Sequence, residues 1–209
     1  LTAVFLAEAA PKKLAAVVKP AVELLAGIPS VIYGLVGILV LNPVMYKLEL
    51  FLFRNSTTHQ FTGGANLISA VIVLAIMILP TVINISESAL KAVPQNLKSA
   101  SLALGASHIQ TIFKVMIPAA KSGILAGVVL GIGRAIGETM AVIMVAGNQP
   151  VIPGNLAMGV RTLTSNIVME MGYATDLHRE ALIATAVVLF VLILIINLCC
   201  SALQRRSGQ

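Results

Sequence analysis

Of the 209 residues, 58% are hydrophobic and only 11% are charged, against roughly 25% charged in an ordinary soluble domain. That composition excludes a soluble globular fold and points to a chain whose solvent is lipid. A net charge of +6 would suit a nucleic-acid partner, but the basic residues cluster by membrane side, so no nucleic-acid partner is expected.

Residues 1–7 are apolar but would rise only about 10 Å as a helix, so they are read as the tail of a preceding span in a chain truncated at its N-terminus. Four later runs reach the about 20 residues that a crossing needs: residues 24–46, 63–86, 123–147 and 181–204. Before the first of them, Pro11 and Pro20 suit segment starts. Pro29, inside it, removes a backbone donor and breaks or kinks the helix. Membrane proteins tolerate such a break where protein or a water-filled cavity satisfies the freed groups. "GIPSVIYG", with Pro29, Ser30 and Tyr33, is therefore a candidate pathway wall, although a kink used for packing leaves the same trace.

Residues 47–62 read as an external loop with "LELFLF" in the interface and a solvated His59. After the second run, residues 87–121 form a basic, helix-compatible loop in which Pro94 opens one helix and Pro118 interrupts another. A connection this long is usually functional, so a cytoplasmic partner is expected to dock there.

The third run alone carries charges within its length, in "GIGRAIGETMAV", residues 131–142. The glycine spacing is not that of a dinucleotide-binding turn. Gly127 with Gly131, and Gly133 with Gly137, follow the small-xxx-small spacing that lets membrane helices approach closely. On a continuous helix Arg134 and Glu138 share one face. Two ions in a span are costly, and such residues commonly mark a substrate route. A guanidinium matches the oxygens of an oxyanion. Beside it, a carboxylate accepts the proton that phosphate retains at neutral pH and sulfate lacks, which disfavours the fully deprotonated ion.

In the last external loop, residues 148–179, "LAMGVRTLTSNIVMEM" is compatible with a short surface helix, and His178 sits among Asp176, Arg179 and Glu180 in a solvated patch. Adjacent Cys199 and Cys200 give no disulfide or metal spacing. Nine basic residues (Lys12, Lys13, Lys19, Lys91, Lys98, Lys114, Lys121, Arg205, Arg206) fall on one side of the spans and four (Lys47, Arg54, Arg161, Arg179) on the other. The positive-inside rule puts the nine, and the C-terminus, in the cytoplasm. The chain is read as a multi-pass protein of the inner or plasma membrane.

Two motifs then carry a resemblance. "ASLALGASHIQTIFKVMIPAA" resembles the coupling loop of ABC importer permeases, with Ala100, Gly105, Val115, Ile117 and Pro118 in register and departures at Ser99, where the loop's glutamate stands, and at Ser101. "AGIPSVIYGL" and "LGIGRAIGETMAV" look like phosphate-uptake permeases, PstC-type more than PstA-type. The resemblance implies an all-α, type I (MetI-like) importer bundle of four full spans plus the tail of an earlier one. Its transmembrane domain would cover residues 1–204, with a coupling loop at about 87–121 and a cytoplasmic tail at 205–209. It also implies a phosphate pathway at Arg134, Glu138 and Thr139 and ATPase coupling through Ser99, Ala100, Gly105, Ala106 and Pro118. The implied partners are a PstA-like second permease, two PstB-like ATPases that carry ATP and Mg, and an external PstS-like phosphate-binding protein. No cofactor and no enzymatic activity are expected of this subunit itself. A permease for molybdate or sulfate, and a channel or secondary transporter gated by Arg134 and Glu138, remain alternatives.

Overall fold

The computed structural model describes residues 1–55 and 60–208, with the side chains of Lys12, Leu203 and residues 205–208 left aside; His59 lies outside the described residues. Among them every regular element is helical. A short segment, Thr2–Val4 with the π-type turn Phe5–Ala9, precedes α1, Lys12–Gly27. After it come α2, Ser30–Leu52, and α3, Leu67–Lys91. Then follow α4, Gln95–Ala103, α5, His108–Ala119, α6, Lys121–Gly137, and α7, Met140–Val145. The last are α8, Leu163–Glu170, and α9, Asp176–Gly208.

Three helices are long and apolar enough to cross a membrane: α2, α3, and α9 as far as Ala202. α5 and α6 together pass the same test as a pair bent by 67°. The first span starts at Ser30, later than the sequence suggested, because the chain breaks at Pro29, which holds an extended conformation (φ −58°, ψ 141°) just outside the helix. Residues 24–27 belong to α1 instead. Pro20 is inside α1 and not at a start. "LELFLF" was expected to leave the span, yet residues 47–52 continue α2 as helix.

The third expected span is not one helix. α6 ends at Gly137, two residues intervene, and α7 begins at Met140. Glycine is the costliest ordinary residue to hold in a helix, and the acidic side chain that follows satisfies the new N-terminus, as described below.

The chain divides into two compact units. The first comprises Leu1–Gly27, Ile78–Arg134 and the residues from Ile195 on; the second comprises Ile28–Met77 and Ala135–Leu194. In the first, Leu6, Val22, Ile83, Leu90 and Val93 form the buried apolar centre. Its tightest packing is a glycine stripe on α6. A Cβ at Gly123 would lie 2.5 Å from Ala89 Cβ, at Gly127 3.1 Å from Ile85, and at Gly131 2.8 Å from Val82. α6 thus lies directly against α3 through three glycines at four-residue spacing. By contrast, a Cβ at Gly133 or Gly137 would meet nothing within 4 Å in this chain, so of the two small-residue pairs only Gly127 with Gly131 packs against another of its helices. In the second unit, α7 buries Ala141, Val142 and Val145 with Ala70, Val73 and Val160, and Tyr33 packs against that cluster.

Candidate functional site

Arg134 is the fourth residue from the end of α6 and is half-buried. Its Nη1 donates to the hydroxyl of Thr81 on α3 at 3.3 Å. That single bond leaves most of the five guanidinium donors without a protein partner among the described residues. The side chain borders an open cavity of about 630 Å³, lined also by Thr81, Gly133, Asn197, Gln204 and an apolar wall that includes Leu130. A permanent cation beside a cavity of that size, on a helix whose other residues from Gly123 to Gly137 are small or aliphatic, is an anion-attracting arrangement.

Glu138 does something the sequence did not announce. Sharing a helical face with Arg134 requires an unbroken helix through residue 138, and α6 stops at Gly137. Glu138 instead turns its Oε1 onto the backbone of α7, accepting the Ala141 N–H at 3.0 Å. Its backbone carbonyl accepts from the Thr164 hydroxyl at 3.3 Å. The carboxylate therefore fills one of the orphan donor positions that every helix start presents. Thr139, the residue before α7, donates its hydroxyl to the Gly137 carbonyl at 3.4 Å.

Pro29, Ser30 and Tyr33 occupy the start of α2. Tyr33 has an apolar packing role in its unit, while Pro29 is exposed and Ser30 half-buried.

The expected coupling loop is a sequence of short helices. α4 has no buried residue, and Ser99 and Ala100 lie exposed on it. It ends in a Schellman turn: the Ala106 N–H donates to the Ser101 carbonyl at 3.2 Å and the Gly105 N–H to the Leu102 carbonyl at 3.0 Å. Gly105 holds φ +87°, a left-handed conformation that glycine adopts without cost, so the loop's glycine is required by backbone geometry and not by crowding. Next, Ser107 and Gln110 form a reciprocal capping box that opens α5. Pro118 stands in the last turn of α5. Leu104 (89% exposed) and Ile109 (70%) face outward here. Lys98 of α4 makes an ion pair with Glu8. Buried Glu87, at the end of α3, pairs with Lys91 at 2.5 Å and Lys19 at 3.7 Å.

A second polar cluster lies in the other unit. Glu170 accepts from Arg161 Nη1 at 2.8 Å and from the Tyr173 hydroxyl, and His178 Nε2 stands 3.7 Å away. Arg161 also donates through Nε to the Asn148 carbonyl at 3.0 Å. The Tyr173 hydrogen bond, helped by Arg161, holds the Glu170 carboxyl below its ordinary value of 4.5, and the same bond raises the Tyr173 phenol above 10.0. His178 is thus drawn to Glu170 and not confined to its neighbours Asp176, Arg179 and Glu180.

All 209 residues match the family described as the binding-protein-dependent transport system inner membrane component. The chain belongs to that family. Members of this transport-component family share this chain's features at useful identity. The probable ABC transporter permease protein YqgH of Bacillus subtilis (strain 168) is 41% identical over 192 residues, which are 91% of this chain and 59% of that protein. The phosphate transport system permease protein PstC of Xylella fastidiosa (strain 9a5c) is 37% identical over 99% of this chain and 68% of its own length. That of Mesorhizobium japonicum is 37% identical over 93% and 62%. The chain therefore spans about three fifths to two thirds of these relatives. Among solved structures, the inward-facing MetNI methionine ABC transporter superposes with a TM-score of 0.69, covering all of this chain and 85% of that one at 20% identity. That likeness establishes the all-helical, type I importer permease fold. As an inner-membrane transport component, this family member puts its apolar helices in lipid.

Sequence reasoning singled out Arg134 but missed its neighbours. Thr81 follows Pro80 inside an apolar span, and Asn197 interrupts the aliphatic run of α9. Both left a trace as lone polar residues in hydrocarbon-length segments, which is itself a pointer to a cavity.

Proposed function

We propose that this chain is the permease subunit of an ATP-driven importer for inorganic phosphate, passing the ion from an external binding protein toward the cytoplasm. The observation that carries the reading is Arg134: a permanent cation with one hydroxyl partner, bordering an open cavity within an apolar bundle. Membership of a binding-protein-dependent transport family and similarity to phosphate permeases support phosphate as the cargo. In the assembled machine a second, PstA-like permease supplies the other half of the pathway, and two PstB-like ATPases seat on the exposed α4 to Pro118 segment. A PstS-like protein delivers phosphate from outside. ATP and Mg belong to the ATPases; this subunit supplies no hydrolytic group. The C-terminus and the α4 segment lie on the cytoplasmic side, in keeping with the distribution of basic residues.

Within this reading Arg134 attracts the anion and Thr81 holds the guanidinium in place. Glu138 retains one carboxylate oxygen beyond its bond to Ala141, and a free carboxylate oxygen has the chemistry to accept the proton of hydrogen phosphate. Its observed contact is the hydrogen bond it accepts from Ala141 at the start of α7.

Phosphate uptake by the reconstituted importer, with Arg134 or with Arg134→Gln, tests the reading. Loss of uptake with subunit assembly preserved is the expected result, and uptake at the parent rate would overturn it. Conductance or uptake by the chain alone, with no ATPase present, would favour the channel alternative.

A further inference from the structure

The cavity beside Arg134 has a second polar side that the family resemblance did not assign. Asn197 is the one strongly polar side chain between Thr185 and Ser201 on α9, and Gln204 follows it by seven residues, two turns on the same face. Both border the cavity with Arg134 and Thr81. Neither amide has a protein partner among the described residues. A side chain amide in a hydrocarbon-length helix is expensive unless it meets a partner or water. The rest of α9 in this region is aliphatic, so nothing in local helix formation calls for Asn197.

The lengths agree. The cavity follows α6 from Ala126 to Arg134, eight residues or about 12 Å of helix. It follows α9 from Asn197 to Gln204, seven residues or about 10 Å. Helices crossing in alternate directions set Asn197 toward the Arg134 end and Gln204 toward the Ala126 end, which leads to the start of α6 and the end of α9.

We propose that Thr81, Asn197 and Gln204 form, with Arg134, a graded anion track in which neutral donors receive an oxyanion from the guanidinium and carry it toward the cytoplasm; this rests on the reading of the chain as a phosphate permease. The ligand is a tetrahedral oxyanion. An arginine alone would bind such an ion and retain it. Conduction requires sites favourable enough to enter and weak enough to leave. Amide N–H groups donate to phosphate oxygens without adding charge, so the sites past Arg134 hold the ion more weakly than the guanidinium does. Thr81 accepts from Arg134 and keeps its own hydroxyl proton to offer the ion. The apolar wall at Ala126, Val129 and Leu130 presents no competing contact.

The test uses the complete importer in proteoliposomes with inorganic phosphate. Asn197→Asp preserves shape and replaces a donor with a repelling charge; uptake is expected to fall about tenfold, while ATPase stimulation by the binding protein persists. Asn197→Gln keeps the amide and is expected to retain most uptake. Parent-level uptake by Asn197→Asp, in a preparation where Arg134→Gln is inactive, overturns the track and leaves the permease reading standing. Parent-level uptake by Asn197→Asp and Arg134→Gln alike overturns both the track and the Arg134 pathway, and a parent importer that takes up no phosphate defeats the permease reading itself. Should Asn197→Asp fail to assemble, Asn197→Cys in a Cys199→Ser, Cys200→Ser background is probed with a membrane-impermeant thiosulfonate. Labelling slowed about threefold by saturating phosphate is the expected result. No labelling, as on a lipid-covered face, or labelling indifferent to phosphate, overturns the proposal.

Discussion

Arg134 and Glu138 look alike on paper, two charges in an apolar run, yet their surroundings give them different work. The guanidinium has Thr81 and a cavity; the carboxylate has the Ala141 N–H. Arg134→Lys keeps the charge and loses the planar fork, so uptake should fall by about an order of magnitude with assembly intact, as read by phosphate flux. At residue 138 two substitutions separate the two duties. Glu138→Gln keeps an oxygen for Ala141 and should leave thermal stability near the parent, whereas Glu138→Ala removes that acceptor and should cost about 1 kcal/mol. If Glu138→Gln also leaves the phosphate-over-sulfate preference unchanged, the carboxylate has no part in selectivity. Glu170 makes a pH prediction. Its carboxyl is held below 4.5 in the folded chain, so the deprotonated form is favoured by folding. The stabilisation is therefore complete above the unfolded value and is lost as pH falls through the lower folded one. Hydrogen exchange across residues 161–178 should show protection at neutral pH that declines only in acid below about 4.5.

Between elements, the α6 stripe and the coupling segment carry the tests. Gly127 and Gly131 sit where a side chain would meet Ile85 and Val82 at about 3 Å. Gly127→Leu should therefore push α6 from α3 and reduce folded yield, at a cost of about 1–3 kcal/mol. Gly133→Ala, four residues from the end of the same helix and facing open space, should be neutral in the same detergent melt. An unchanged Gly127→Leu would show that the close approach is not needed. On α4, Ser99 stands where the resemblance places a glutamate, and the neighbouring Lys98 forms an ion pair with Glu8. Lys98→Ala removes one partner and leaves a 7% exposed carboxylate uncompensated. Binding-protein-stimulated ATP hydrolysis should fall while basal hydrolysis holds; equal rates would remove the pair from coupling.

Across the whole molecule, three of the four expected crossings were legible because lipid imposes one rule on every residue of a crossing: be apolar or have a partner. Residues 63–86 became Leu67–Lys91, and residues 181–204 became the heart of Asp176–Gly208. Gly105 and Pro118 stood out in the sequence as a motif, and the structure gives each a local backbone setting, a left-handed helix end and a last helical turn. The break after Gly137 was not legible. Residues 123–147 read as one apolar run, and nothing in that run announces that α6 ends at Gly137 or that the Glu138 carboxylate accepts from Ala141 at the start of α7.

Sequence alone thus determined which stretches had to lie in lipid, and which ions had to find company in an apolar chain. Tertiary structure decided who that company is. Thr81 lies 53 residues from Arg134, and Asn197 comes from the last helix; contacts at such separations depend on how helices pack, through glycines and aliphatic ridges that no local pattern specifies.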